Sequence, residues 1–358
     1  MSGDRWNMSF VLGAITLLSG VFVLSGQSNE GDAEMKSLRL NQVQVIGSHN
    51  SYHIPPGPTE VELMKRKHHG VAGLNYGGTS LSEQLNDGVR QIELDLYPDW
   101  EGGRFAKPAA FTEAEKLGLE RPQAYDPDGR MLKPGIKVLH EPDLDFRSTT
   151  LTLQIALEEV NQWSKSHPQH YPIFILLELK GPSKDWQGNG LKKLESEILS
   201  VISKNRILTP DDVRGAHSTL REAIMTDGWP LLQDSVGRLM FGLDNENELR
   251  DGYLSDSPNL HGRLLFPSCA DEKNPAAAWF KINDAKHDFE RIQHLVKHGF
   301  LVRTRADVGL KKDPVLRDQA MDSGAQFIST DFPGSHPNDY GVIFADHAMM
   351  RRDPMANH

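Results

Sequence analysis

The feature that most restricts this chain is a recurrence. Short apolar runs bounded by polar or glycine-containing turns return along its length, with helix-patterned segments between several of them. Strands are read at 43–47, 89–97, 136–140, 173–180, 238–243, 263–267, 300–305 and 326–331, with 280–282 as an alternative sixth strand. Within 151–166, Leu153, Ala156, Leu157, Val160 and Trp163 recur at helical spacing. Similar patterning covers 191–202, 289–297 and, more briefly, 314–323. Strand alternating with helix eight times implies an α/β fold whose parallel sheet closes on itself, a single (β/α)8 TIM-type barrel. The chain of 358 residues is long enough for one such barrel, and no repeat, low-complexity stretch or linker marks a second domain.

The loop after the second strand, 100–135, is unusually long and holds Gly102-Gly103, several prolines and a short helical stretch near 112–117. Loops of that length are commonly functional or disordered. In a barrel this one rises from the C-terminal rim, where the active sites of the fold lie. Its Trp100 and Phe105 either dip into a bilayer or pack the loop on itself.

Arg5 precedes an apolar run from Phe10 to Leu24, followed by the small residues Ser25 and Gly26. That length suits a signal-peptide core, whereas a membrane span needs about 20 apolar residues. Residues 1–26 are therefore read as a signal peptide or N-terminal anchor. The barrel, 27–358, is placed outside the cytosol, whether periplasmic, secreted or tethered. A formal net charge of -10 argues against a nucleic-acid partner and against broad adhesion to anionic membranes. The single cysteine, Cys269, excludes an intramolecular disulfide and a cysteine-based zinc cluster. No obligate protein partner is inferred.

Side chains alternate along a strand, which sorts the polar residues. Ile92, Leu94 and Leu96 should face the surrounding helices, leaving Gln91, Glu93, Asp95 and Tyr97 to point into the barrel. On the fourth strand Glu178 and Lys180 finish the polar face. On the seventh Arg303 and Arg305 share a face, and the third ends at His140. Three carboxylates, Glu93, Asp95 and Glu178, thus converge at the catalytic rim, a costly arrangement unless a cation or protons offset it. An all-oxygen set favours a hard ion, calcium or magnesium, over zinc. The alternative is an ion-pair network with Lys180, Arg303 and Arg305. His49 and His53 are four apart, which on a helix would make a zinc pair. The strand before them and Pro55-Pro56 after them place them on a loop instead.

Gly-Ser-His-Asn-Ser-Tyr at 47–52 resembles the first catalytic signature of the phosphoinositide-specific phospholipases C. Glu-Leu-Asp at 93–95 resembles their metal-binding strand, and Val-Leu-His at 138–140 the strand carrying their second histidine. Phe-Ile-Leu-Leu-Glu-Leu at 174–179 is similar to the strand supplying a further metal carboxylate. Val-Arg-Thr-Arg-Ala-Asp at 302–307 and Gly-Ala-Gln-Phe-Ile-Ser-Thr-Asp-Phe-Pro at 324–333 resemble the secreted bacterial calcium-dependent branch.

The resemblance implies calcium-dependent cleavage of phosphatidylinositol to diacylglycerol and a cyclic or open inositol phosphate. It makes His49 the group that contacts the phosphate and helps the first proton transfer, and His140 the general acid. It gives the metal, calcium in preference to magnesium, the ligands Asn50, Glu93, Asp95 and Glu178, with Glu93 a second candidate base. Lys180, Arg303 and Arg305 face the phosphodiester or the ring hydroxyls of a phosphatidylinositol-type lipid at a membrane surface. A glycerophosphodiester phosphodiesterase shares this barrel and metal set, although those enzymes usually carry arginine where Asn50 follows His49. A calcium-dependent lipid- or inositol-binding module without turnover is the third reading. His68-His69 read as exposed, Arg351-Arg352 as a solvated tail, and Asp331 is left unassigned.

Overall fold

The computed structural model describes residues 37–68, 70–246, 248–334 and 340–356, so residues 1–26, read above as a signal peptide or N-terminal anchor, and His69 lie outside the described residues. In chain order the strands are β1 (Val43–Ser48), β2 (Gln91–Tyr97), β3 (Lys137–Val138), β4 (Ile173–Leu179), β5 (Leu239–Leu243), β6 (Leu265–Pro267), β7 (Trp279–Asp284), β8 (Leu301–Arg305), β9 (Phe327–Thr330) and β10 (Met350–Arg352). All but β3 and β10 run parallel, in the order β6-β5-β4-β2-β1-β9-β8-β7. A lone parallel bridge between Ser268 and Trp279 joins the two ends, giving a nearly closed eight-stranded barrel.

The predicted barrel therefore stands, but its membership changes. The expected third strand shortens to β3, which turns back antiparallel against the end of β2 (Leu96 opposite Val138) and takes no place in the wall. The vacant place goes to β7, so the alternative at 280–282 is a strand in addition to β6. No helix separates β6 from β7 among the described residues, so the strand–helix rhythm on which the count rested is silent there. Arg351 and Arg352 belong to β10, which pairs antiparallel with the first half of β1. Arg351 also donates to the Gln44 side chain at 2.8 Å and to the Met321 carbonyl at 2.7 Å. The solvated-tail reading is corrected: a tail with a strand edge beside it exchanges water for backbone pairing.

The helices named below are α1 (Pro58–Arg66), α2 (Ala109–Lys116, in the long loop), α3 (Leu153–Ser166) and α4 (Pro314–Asp322). Each begins where its sequence allows. The Thr152 hydroxyl accepts the Ile155 N–H to start α3, and Asp313 accepts from Val315 and Leu316 at α4, with Pro314 in the first turn. On α3 the predicted Leu153, Ala156, Leu157, Val160 and Trp163 are all buried against the barrel, as are Ile92, Leu94 and Leu96 from the opposite side of that interface. Each large side chain so buried contributes roughly 1.5–3 kcal/mol.

The barrel interior divides along its axis. Its lower part is aromatic: Phe174 stacks on Phe327 at 4.5 Å and meets Trp279 edge-on at 5.3 Å. Gly242 makes room for this, since a Cβ there would lie 2.5 Å from the Phe174 ring. The upper part is polar. The long loop packs over one side of it, burying Phe105, Met131 and Leu139 in one small cluster and Ala110, Ala114, Leu144 and Phe146 with Leu63 and Met64 of α1 in another. Phe105 is thus core to its loop. Trp100 packs edge-on against Trp186 and donates its indole N–H to the Asp185 carbonyl, so it is held by the segment after β4 and not by its own loop.

Candidate active site

β1 delivers the chain into a tight turn at the mouth of the barrel. The His49 N–H donates to the Thr330 carbonyl, that of Ser51 to the Glu93 carbonyl and that of His53 to the Asn50 carbonyl. Asn50 takes the left-handed conformation (φ 42), which asparagine tolerates better than most residues, and this tucks its side chain inward. Its amide donates to the Tyr76 hydroxyl at 2.8 Å. His49 and His53 therefore sit on a turn and not on one helix face, as their flanking residues imply.

β2 and β4 are in register so that Asp95 stands opposite Glu178 on the inner face. Oxygens of Glu93, Asp95 and Glu178 come within 4.8 Å of one another. The Lys180 ammonium lies 2.9 Å from Glu178 and 3.2 Å from Asp95. Neither Asp95 oxygen has a hydrogen bond of good geometry, although the residue is fully buried. Burial pushes the Asp95 carboxyl well above the usual carboxylate range; Lys180 opposes the shift while Glu178 and Glu93 add to it. Glu93 is the reverse case. Burial favours its neutral form, but Arg303, His49 and Arg305 outweigh that and hold its carboxyl below the usual range.

The two predicted histidines each lean on a carboxylate. His49 Nδ1 is 2.8 Å from Asp331 Oδ1, while its Nε2 lies 3.3 Å from the Arg305 guanidinium and 3.7 Å from Glu93. Burial keeps the imidazole below its ordinary value of 6.5, against the pull of Glu93. His140 Nδ1 is 2.7 Å from Asp145 Oδ2, and its ring stays partly exposed. Arg305 also donates to Asp331 at 3.2 Å.

All six residues expected to surround one point are therefore at the mouth, on the turn after β1, on β2 and β4, and on the segment after β3. Of the three expected substrate cations, Lys180 and Arg305 reach it. Arg303 is only 2% exposed and is engaged by Glu93 at 2.6 Å, Ser329 and Asn283, so it stands behind Glu93 as its counter-ion. Asp145, Asp331 and Tyr76 were not assigned from the sequence. Asp331 closing the eighth strand and Asp145 five residues after His140 were available signals; nothing in the sequence around Tyr76 singled it out.

A cavity of about 410 Å³ opens beside His49, lined among others by Asn50, Tyr76, Leu310, Asp331 and Phe332. A larger one, about 760 Å³, lies within the long loop and holds none of the ionisable residues of the mouth. Convergent titratable groups locate chemistry better than volume does, and they make the mouth the candidate site.

The family model described as phosphoinositide phospholipase C, Ca2+-dependent, matches residues 38–354. Among solved structures, the calcium-dependent phosphoinositol-specific phospholipase C of a Pseudomonas species is similar at 16% identity and TM-score 0.61, with 90% of this chain and 97% of that one covered. The calcium-dependent phosphatidylinositol-specific phospholipase C of Streptomyces antibioticus is similar at 16% identity and TM-score 0.53, covering 82% of this chain and 94% of that one. At those identities the likeness carries the fold. Among curated proteins no match was found.

Proposed function

Because this chain belongs to the calcium-dependent phosphoinositide phospholipase C family of phosphodiesterases, we propose that it cleaves phosphatidylinositol to diacylglycerol and an inositol phosphate, with His49 as base and His140 as acid. The observation that carries this reading is the pair of imidazole–carboxylate contacts, His49–Asp331 and His140–Asp145, at a mouth that also gathers three carboxylates.

A carboxylate only accepts, so Nδ1 of each histidine carries hydrogen and Nε2 is the working atom. Nε2 of His49 takes the proton of the attacking inositol hydroxyl. Nε2 of His140 gives one to the diacylglycerol oxygen as the P–O bond breaks. Asp145 stabilises the imidazolium of His140 before transfer, and Asp331 that of His49 after it. Glu93 is a poorer base, being held ionised by Arg303. Arg305 and Lys180, both at the mouth, bind the phosphate oxygens and fix the diester between the two rings.

The residues fit a hard divalent cation. Two buried carboxylates and a half-exposed third, with both Asp95 oxygens lacking a good partner, form an oxygen-rich set that apolar surroundings alone do not stabilise. Asn50, Glu93, Asp95 and Glu178 would hold the ion. When bound, calcium offsets the charge that gathers on the phosphate in the transition state. Export is part of the same reading, supported by the apolar run 10–24; among the described residues no helix is long and apolar enough to cross a membrane.

Hydrolysis of phosphatidylinositol vesicles with and without a chelator tests the proposal. Turnover should vanish on chelation and return with calcium better than with magnesium. Undiminished activity in excess chelator, or glycerol phosphate released from a deacylated diester in preference to inositol phosphate from the lipid, would sink it.

A further inference from the structure

We propose that His53 is a positioning residue for the acid half of this reaction. By holding both oxygens of Asp145 at its Nε2 it fixes that carboxylate, which in turn fixes His140 with Nε2 free to face the leaving group. The inference rests on the assignment of His140 as acid.

His53 is fully buried. Its Nδ1 lies 3.0 Å from the Tyr76 carbonyl oxygen, and its Nε2 lies 2.9 and 3.0 Å from the two oxygens of Asp145. A carboxylate accepts only, so Nε2 of His53 donates to Asp145, while the Tyr76 carbonyl lies against the other side of the ring.

Asp145 Oδ2 also takes the His140 Nδ1 hydrogen at 2.7 Å. The two imidazoles stand perpendicular at 5.9 Å and hold one carboxylate between them. Rotation of that carboxylate to follow His140 would break the bonds to His53. The frame behind His53 is equally fixed. Tyr76 stacks on its ring at 4.3 Å, and the Gly78 N–H donates to its carbonyl at 2.7 Å. Gly77 permits that approach, because a Cβ there would lie 2.1 Å from the same carbonyl. Tyr76 in turn accepts from Asn50. One buried ring thus ties the β1 turn to the segment carrying His140.

The test compares His53→Phe, His53→Gln and His140→Ala at saturating calcium on two substrates. These are phosphatidylinositol and an inositol phosphodiester with a nitrophenolate leaving group, which needs no proton. His53→Phe should slow the lipid roughly 10- to 100-fold, the usual scale for removing an orienting partner, and the activated diester far less. His53→Gln, whose amide still donates to Asp145, should recover part of the loss. No difference between substrates for His140→Ala would remove the acid assignment itself. A difference for His140→Ala with equal losses on both substrates, or none, for His53→Phe would overturn the role of His53 alone. Nitrogen-15 NMR of the unaltered protein decides the matter even where His53→Phe fails to fold. Hydrogen is expected on Nε2 of His53 and on Nδ1 of His140; a bare Nε2 in His53 would overturn the inference.

Discussion

At the scale of single residues, the site depends on what holds each working side chain. Asp331 is buried and receives His49, Arg305 and the Leu310 N–H, and hydrogen bonds from His49 help hold its carboxyl below the usual range against the opposing effect of burial. Replacing it by asparagine keeps the shape but lets an amide N–H face Nδ1 of His49, which selects the tautomer with the wrong nitrogen bare. Asp331→Asn should therefore lower kcat on phosphatidylinositol about 10²–10⁴-fold with an unchanged circular dichroism spectrum. A loss under about threefold would remove Asp331 from the proton path. This is also where sequence reasoning ran short. Glu93, Asp95 and Glu178 were readable because alternation along a strand assigns them a face. Asp145 and Tyr76 lie on loops, whose geometry no period encodes, and they meet His53 only through folding. Arg303 shares its alternation pattern with Arg305, yet one reaches the mouth and the other is consumed by Glu93, a difference set by depth along the strand.

At the scale of elements, Arg206, helix α3 and the turn that leads from it into β4 are joined by a chain of polar contacts. Arg206 donates to the Ser164 hydroxyl at 2.6 Å, Ser164 lies 2.6 Å from His170 Nε2, and His170 Nδ1 lies 2.6 Å from the Tyr171 carbonyl. The carbonyl requires hydrogen on Nδ1, leaving Nε2 to accept from Ser164, so the ring is neutral in the folded chain. Burial, with the nearby Arg90 and Arg206 adding to it, pulls His170 down to about 4. Between pH 6.5 and about 4 the unfolded chain takes up a proton that the folded one refuses, so stability is complete above the ordinary value and drains away below it. The loss amounts to about 3 kcal/mol across that window. Urea midpoints at pH 7, 5.5 and 4.5 should fall more steeply for the natural chain than for His170→Gln, which starts less stable but has no such group. Parallel slopes would show that His170 does not titrate this way. The same connection explains why α3 and β4 were found from sequence with nearly their observed bounds: both have a strong period and a polar turn between. The β6–β7 connection has neither, and β3 is too short for a period to register.

At the scale of the whole molecule, the barrel accepts a local cost at its mouth that its lower half does not share. Aromatic packing around Phe174 needs no partner, whereas Asp95 is buried beside Glu93 and Glu178 with Lys180 as its nearest cation. An ion that binds the folded chain and not the unfolded one repays that cost by mass action, about 2.7 kcal/mol at a hundredfold excess over Kd, or on the order of 5 °C in Tm. Calcium should raise the unfolding temperature of the natural chain by that amount and a chelator should cancel the gain. Asp95→Asn replaces one buried carboxylate with a neutral amide, a weaker ligand for a hard cation. Its unfolding temperature in chelator should equal or exceed that of the natural chain, because a neutral amide is cheaper to bury beside two carboxylates than a third charge. Its calcium-dependent rise should shrink together with turnover, the pattern expected where a site is held at the expense of stability. Differential scanning calorimetry of both proteins, with calcium and with chelator, measures all four temperatures. A calcium-induced rise as large in Asp95→Asn as in the natural chain would place the ion elsewhere in the molecule. A marked fall in chelator would mean that Lys180 already balances Asp95 and that no cation is needed to keep the carboxylates together.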